Sequence, residues 1–172
     1  MMKKQKIILI TLTLFWCFTT KSQNIGVGAS AIYNFQTESF GAGVRASFFP
    51  DNNFSISPQF SYYFAFNKIN EYNIGFALEY KFFRTDYLNF YGIFHGAYNR
   101  WINYAASSMN DAKLNNLNFE GGIGISTNHC LRPFLEYRYN VKFLETHLQF
   151  GLLYIFGCRS YYVDKNSQCP AY

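Results

Sequence analysis

The sequence predicts an all-β protein, an eight-stranded antiparallel up-and-down transmembrane β-barrel with a packed polar lumen. Bulky apolar and small polar residues alternate over long stretches such as "FSISPQFSYYFAFN" (54–67), as in a strand whose two faces meet different surroundings. Aromatic residues make up 22% of the chain and charged residues only 15%, against about 25% charged in soluble domains. Mean hydropathy is nevertheless −0.11, because each apolar residue of an alternating strand has a polar neighbour.

The N-terminus has the pattern of a secretory signal peptide. Three lysines within the first six residues precede an apolar stretch at 7–18, and the small residue Ser22 precedes a predicted cleavage site. The apolar stretch is shorter than the roughly 20 residues that a transmembrane helix needs. The predicted parts of the chain are a signal peptide (1–22), a barrel (23–157) and a cysteine-containing tail (158–172).

Removal of the signal changes the charge of the protein. It takes four of the 15 basic residues and none of the 10 acidic ones, so the formal charge falls from +5 to about +1. Binding of nucleic acid requires a clustered basic face. We therefore expect no nucleic-acid partner.

Eight alternating segments follow the signal, each about ten residues long, which is the length that a tilted strand needs to cross a bilayer. They are 25–34, 40–48, 54–67, 72–82, 88–101, 117–126, 133–141 and 147–156. In the fifth segment the phase of the alternation is ambiguous, and we assign Tyr91, His95 and Asn99 to the inner face. Pro58 cannot donate a ladder hydrogen bond, so a bulge or irregular pairing is expected there.

The faces opposite the aromatic residues carry charged side chains and many Ser, Asn, Gln and Gly residues. Eight strands leave an interior only just wide enough for side chains to fill, so the small residues fit inside and the aromatic residues face lipid. The charges on the inner faces balance, three basic against three acidic, as buried ion pairs require. The predicted polar network of the lumen consists of Arg45, Glu79, Lys81, His95, Glu120, Glu136 and Arg138.

The connections distinguish the two ends of the barrel. The end that carries the N-terminus has only short connections, and the longest connection, 103–116, lies at the opposite end, which is extracellular in outer-membrane barrels. Both termini are then periplasmic. Arg100, Trp101 and Tyr104 at the base of this loop are predicted to be interfacial anchors or a binding patch.

The chain combines a signal peptide, eight alternating strands and a last strand that ends in "LLYIF". In these features it resembles the small eight-stranded outer-membrane barrels of Gram-negative bacteria, the OmpA-barrel and OmpX-like group. The resemblance covers about residues 24–157. The "SQN" after the signal and the Asn-, Lys-, Phe- and Tyr-rich composition resemble barrels of Bacteroidota. The resemblance implies an outer-membrane location, contact with outer-membrane lipid, and the barrel-assembly machinery as a partner during biogenesis. Members of the group often stop at the terminal aromatic residue, whereas this chain continues.

Cys130, Cys158 and Cys169 all fall at the predicted periplasmic end, where conditions are oxidising. A Cys158–Cys169 bridge would close a short loop and contribute roughly 2–3 kcal/mol. The alternatives are that Cys158 or Cys169 pairs with Cys130, or that no disulfide forms. The bridge would staple the tail, or the tail would dock a periplasmic partner.

The residues indicate no cofactor, metal or catalytic site. His129 and Cys130 are adjacent and lack the spacing of metal ligands. We expect a non-enzymatic structural, adhesion or envelope-interaction role, with a surface or periplasmic protein as a possible partner. One alternative is an enzyme that modifies outer-membrane lipid with His147, Glu145 and Ser107 or Ser108. Another is a soluble secreted barrel that binds an apolar ligand.

Overall fold

The computed structural model describes residues 24–64, 70–102 and 114–156. Over these ranges no helix is long and apolar enough to cross a membrane. The strands are β1 (Asn24–Asn34), β2 (Ser39–Phe49), β3 (Phe54–Phe64), β4 (Asn70–Arg84), β5 (Leu88–Ile102), β6 (Asn115–Thr127), β7 (Leu131–Asn140) and β8 (Glu145–Ile155).

The strands form one closed barrel in sequence order, and every neighbouring pair is antiparallel. Closure occurs between β1 and β8, which pair from Gly26 with Ile155 to Asn34 with His147. Because the last strand returns to the first, the barrel has no open sheet edge. The predicted eight-stranded antiparallel barrel is confirmed.

The alternation in the sequence separates the two surfaces of the sheet. In β3, Ser55 and Ser57 are completely buried in the interior, whereas on β4 the outward ring of Phe76 is 62% exposed. Ile123 on β6 is 63% exposed. Most of the aromatic and aliphatic side chains therefore cover the outside of the barrel.

The ambiguous fifth segment has one consistent phase in the structure. Tyr91, His95 and Asn99 of β5 are buried in the interior, while Phe94 and Tyr98 are exposed on the outside. Gly92 and Gly96 also lie on the outer face, which is why apolar periodicity alone leaves the phase of this strand unclear.

Pro58 interrupts a ladder without shifting it. Pairing of β2 with β3 runs to Arg45 with Gln59 and resumes in the same register at Phe48 with Ile56, while the positions between are not paired. On its other side Pro58 pairs with Phe76 of β4 in continuous register. Irregular pairing thus occurs as expected, but without a bulge, because a missing N–H removes a hydrogen bond and does not require an extra residue.

Two strand boundaries differ from the predicted segments in ways that affect the lumen. β7 begins at Leu131, two residues earlier than expected, and β8 begins at Glu145, inside the predicted 142–146 loop. Arg132 and Glu145 are therefore strand residues. Residues 65–67 of the third predicted segment lie outside the described part of the chain.

Two turns at the same end of the barrel are built alike. The side-chain Oδ1 of Asn34 accepts hydrogen bonds from the backbone N–H groups of Gln36 and Thr37, at 2.9 and 3.2 Å. Asn140 does the same for Lys142 and Phe143, at 3.0 and 3.2 Å. An asparagine at the end of a strand is a turn signal of this type. It explains why four-residue connections suffice at 35–38 and 141–144.

Gly75 allows β4 and β5 to approach closely. A Cβ at this position would lie 2.7 Å from both Cα and Cβ of Ala97, well inside van der Waals contact. The backbone atoms cannot move apart without disturbing the ladder, so the position requires glycine. At Gly92 of β5, in contrast, an added Cβ would have no atom within 4 Å.

We predict that Gly75→Ala lowers the free energy of unfolding by about 1–3 kcal/mol, the usual cost of overpacking. The measurement is the urea midpoint of the barrel refolded into lipid vesicles. Gly92→Ala is the matched control on the neighbouring strand and is expected to change stability by less than about 0.5 kcal/mol. Equal effects of the two substitutions would contradict the close approach at Gly75.

Candidate functional site

The middle of the lumen contains a buried ionic cluster. From β2, Arg45 donates through Nη1 to Glu79 Oε1 at 3.0 Å and through Nη2 to Glu136 Oε1 at 2.7 Å. Its guanidinium also lies 3.6 Å from the centre of the Phe134 ring. One cation therefore bridges carboxylates of β4 and β7 and stacks on an aromatic ring.

The serines of β3 complete the shell of Glu79. Ser55 Oγ donates to Glu79 Oε2 at 2.7 Å, and Ser57 Oγ donates to Oε1 at 3.2 Å. Ser47 Oγ lies 2.8 Å from Ser57 Oγ. Small hydroxyl side chains fit a narrow interior and supply the hydrogen bonds that a buried carboxylate needs. Ser55 and Ser57, which alternate with bulky apolar residues in 54–67, therefore supply hydrogen bonds to Glu79.

Glu136 receives further donors from β5 and from its own strand. Tyr91 Oη donates to Glu136 Oε1 at 2.8 Å, and Arg138 Nε donates to Oε2 at 3.0 Å. Arg138 Nη2 also donates to Gln59 Oε1 at 3.2 Å. Glu136 is completely buried, so these side chains take the place of water around its charge.

Two histidines extend the network toward the long connection. Gln59 Nε2 donates to His95 Nε2, and His95 Nδ1 donates to Glu120 Oε2, each at 2.9 Å. The His147 ring lies between Glu120 Oε1 at 3.5 Å and Glu145 Oε2 at 3.6 Å. The contacts thus continue from the middle of the lumen to its outer mouth.

The opposite mouth of the lumen is closed by apolar side chains. Phe49, Phe134, Leu153 and Ile155 form a buried cluster at the end near the turns 50–53 and 128–130. Lys81 Nζ and the Arg132 guanidinium lie 5.1 and 5.5 Å from the centre of the Phe49 ring. Rings and the stems of long cations therefore fill this end of the barrel.

The structure brings the predicted lumen residues together. It buries all seven in the interior: Arg45, Glu79, Lys81, His95, Glu120, Glu136 and Arg138. Six of them join in the continuous set of contacts described above, and Lys81 lies at the apolar mouth, where its Nζ donates to the backbone oxygen of Asn52 at 3.4 Å.

Two features of this interior are not predicted from the sequence: the burial of Arg132 and the position of His147 beside Glu145. Arg132 falls in a predicted turn, yet it is buried. A signal for it exists, because Arg132, Phe134 and Glu136 keep the two-residue period across Pro133. His147 has the correct phase in the prediction, but Glu145 falls in a predicted loop, so the position of His147 between Glu120 and Glu145 is not expected.

Two of the predicted loop-base residues, Arg100 and Trp101, lie at the end of β5. Arg100 is exposed on the outside of β5. The ring of Trp101 is 6.0 Å from that of Phe143, in the neighbouring turn between β7 and β8. Tyr104, Ser107 and Ser108 lie outside the described residues.

The predicted disulfide also falls largely outside the described residues, because Cys158 and Cys169 are not among them. Cys130 is disulfide-bonded, and its backbone oxygen accepts a hydrogen bond from Ile155 N at 2.9 Å, beside the end of β8. The partner of Cys130 lies outside the described residues, and the Cys158–Cys169 pairing stays a prediction.

The geometry of the site is that of a filled structural interior. His147 is 3% exposed and both of its ring nitrogens face carboxylates, so it is not positioned as a general base that reaches a lipid outside. Within the part of the chain that the structure describes, no group of three or more His, Cys, Asp or Glu residues is arranged to hold a metal ion.

No protein-family model matches the sequence, and no curated protein matches it. Solved structures do match. The N-terminal β-barrel domain of Pseudomonas aeruginosa OprF is 14% identical with a TM-score of 0.59 over 77% of this chain and 97% of that one. The Yersinia pestis outer membrane protein Ail in a phospholipid bilayer nanodisc is 11% identical with a TM-score of 0.53, over 78% and 100%.

A de novo designed transmembrane β-barrel is similar at the same level, 15% identical with a TM-score of 0.54 over 79% of this chain and 98% of that one. At such low identity these likenesses concern the fold alone. The fold is that of the small eight-stranded outer-membrane barrels.

We predict that Arg45→Met lowers the free energy of unfolding by about 3–5 kcal/mol, because Glu79 and Glu136 both lose a buried counter-charge. Denaturant titration of the barrel in vesicles measures this. Lys142→Met is the matched removal of a cation from an exposed turn, where Lys142 Nζ donates to Asn116 Oδ1 at 2.9 Å, and it should cost less than about 0.5 kcal/mol. Similar losses for both variants would argue against the buried cluster as the source of stability.

Proposed function

We propose that this protein is an integral outer-membrane β-barrel with a non-enzymatic structural, adhesion or envelope-interaction role. One observation carries the proposal: an apolar outer surface surrounds a closed sheet, and the charged side chains in the middle of the lumen are paired with one another. Water disfavours so large an exposed apolar surface, whereas hydrocarbon accepts it and requires every backbone polar group to be paired within the sheet.

The same observation weighs against a soluble barrel that binds an apolar ligand. Such a barrel would turn apolar side chains inward around a cavity. Here Arg45, Glu136 and Arg138 occupy the middle of the lumen, and an interior cavity beside Glu79 and Lys81 holds only about 10 Å³. A lipid-modifying enzyme is disfavoured by the burial of His147 between two carboxylates.

The orientation we propose has both termini in the periplasm. The turns 50–53, 85–87 and 128–130 at the end that carries the termini have three or four residues, and the connection between β5 and β6, which spans 103–114, leaves the other end. This asymmetry supports an extracellular loop at 103–114. The tail would then lie in the periplasm, where a disulfide staples it or it docks a partner.

The proposal also covers how the protein reaches the outer membrane and which bacteria it comes from. The signal peptide at 1–22 would direct export, and the final strand with its terminal aromatic residue Phe156 would be recognised by the barrel-assembly machinery. The composition and the "SQN" after the signal support a source among the Bacteroidota.

We expect the mature protein to fractionate with outer membranes and to require detergent for release. The folded barrel should also migrate differently on gels before and after boiling in dodecyl sulfate, because the closed sheet resists unfolding until heated. Release into the periplasm or the medium without detergent would refute the membrane location. A soluble periplasmic protein from the same cells is the control for fractionation.

If the role at the cell surface depends on the 103–114 loop, the loop should be needed for adhesion and not for folding of the barrel. Replacing residues 104–112 by a short Gly/Ser linker should leave heat-modifiable migration unchanged, because β5 and β6 remain paired below the loop, and should abolish adhesion of whole cells to host matrix or partner bacteria. Deletion of tail residues 159–172 is the control that affects only the other end. If adhesion is present and unchanged in the loop variant, the loop-mediated role is excluded and the structural role remains.

A further inference from the structure

The outer surface of the barrel has a groove of about 700 Å³ that is lined by residues of β8, β1, β2, β3 and β4 and by Leu131 at the start of β7. Small side chains, Ala29 and Ala46, lie in its middle, and larger ones, Phe76 and Tyr154, lie at its sides. The groove is therefore formed by the size of the outward side chains along successive strands.

The groove lies over the interrupted ladder. Ala46 and Pro58 both line it, and the pairing of β2 with β3 is broken between Arg45 and Phe48. Unpaired backbone groups are costly in hydrocarbon, and the small side chain of Ala46 shields little of the backbone beside it. An ordered apolar group seated in the groove would keep water away from this break in the sheet.

The groove is continuous with the apolar outer surface. Val44 and Phe76, which line it, are 57% and 62% exposed. Under the proposed function this surface contacts the acyl chains of the bilayer, so a groove that opens onto it fills with the same material. Its residues on β1, β2 and β8 lie nearer the turns 50–53 and 128–130, whereas Ile74 and Phe76 lie in the half of β4 nearer the opposite end, so the groove runs obliquely across the barrel.

We propose that the groove is a binding site for one acyl chain of a membrane phospholipid. The proposal rests on the proposed membrane location and goes beyond it, because it assigns one position on the barrel where a lipid chain is held in preference to the rest of the surface. Side-chain size and the break at Pro58 determine that position.

The test is photo-crosslinking of the full-length mature protein in nanodiscs that contain phosphatidylethanolamine with a diazirine in its acyl chain. Adducts mapped by peptide mass spectrometry should concentrate on the groove. Ala46→Phe fills the groove and should lower the adducts there about tenfold, corresponding to roughly 1.4 kcal/mol of lost binding.

Ala42→Phe is the matched control, because Ala42 also faces outward from β2 but does not line the groove. It should leave the adducts unchanged. Heat-modifiable migration verifies that each variant folds, and Ala29→Leu provides a second, milder filling variant.

Adducts spread evenly around the barrel, or equal losses with Ala46→Phe and Ala42→Phe, would overturn the proposal. So would crosslinks between two barrels that Ala46→Phe abolishes, because the occupant would then be a second copy. If the wild-type protein gives no adducts and stays in the aqueous fraction, the membrane location itself is wrong, and this result is distinct from the other three.

Discussion

The rest of the structure depends on the neutralisation of Glu136 inside a closed sheet. This carboxylate is completely buried, so protein groups must replace its water. Arg45 of β2, Tyr91 of β5 and Arg138 of β7 supply them. The donors come from three separate strands that meet only because β1 and β8 pair. Barrel closure and charge neutralisation therefore require each other.

That requirement explains why the two faces of the sheet differ in side-chain size as well as polarity. The interior has to hold several charged side chains with their hydrogen-bond partners in the width that eight strands allow. Ser55, Ser57 and Gly75 leave this space, and the phenylalanines and tyrosines of the same strands, except Tyr63, lie on the outer face. A lumen filled in this way supports a structural barrel more than a pore or an enzyme, and it directs attention to the outer surface and the loops for interactions.

Much of this fold could be predicted because alternation is a local property. A period of two residues assigns each side chain to a face without knowledge of its neighbours, and so Arg45, Glu79 and Glu136 could be assigned to the interior. The pairing partners could not, since they depend on register across strands. Arg132 is not predicted to be a strand residue because Pro133 resembles a strand boundary. Glu145 is not predicted to be one because the tight turn capped by Asn140 resembles a longer loop.

The sequence by itself determined the number of strands and the face of most side chains, including the charged residues predicted in the lumen. Only the tertiary structure decided which charges meet, that His147 lies between Glu120 and Glu145, and that small side chains on β1 and β2 coincide with the interrupted pairing at Pro58. The physical reason is that alternation acts within one strand, whereas ion pairs and surface grooves arise between strands whose register is set by barrel closure.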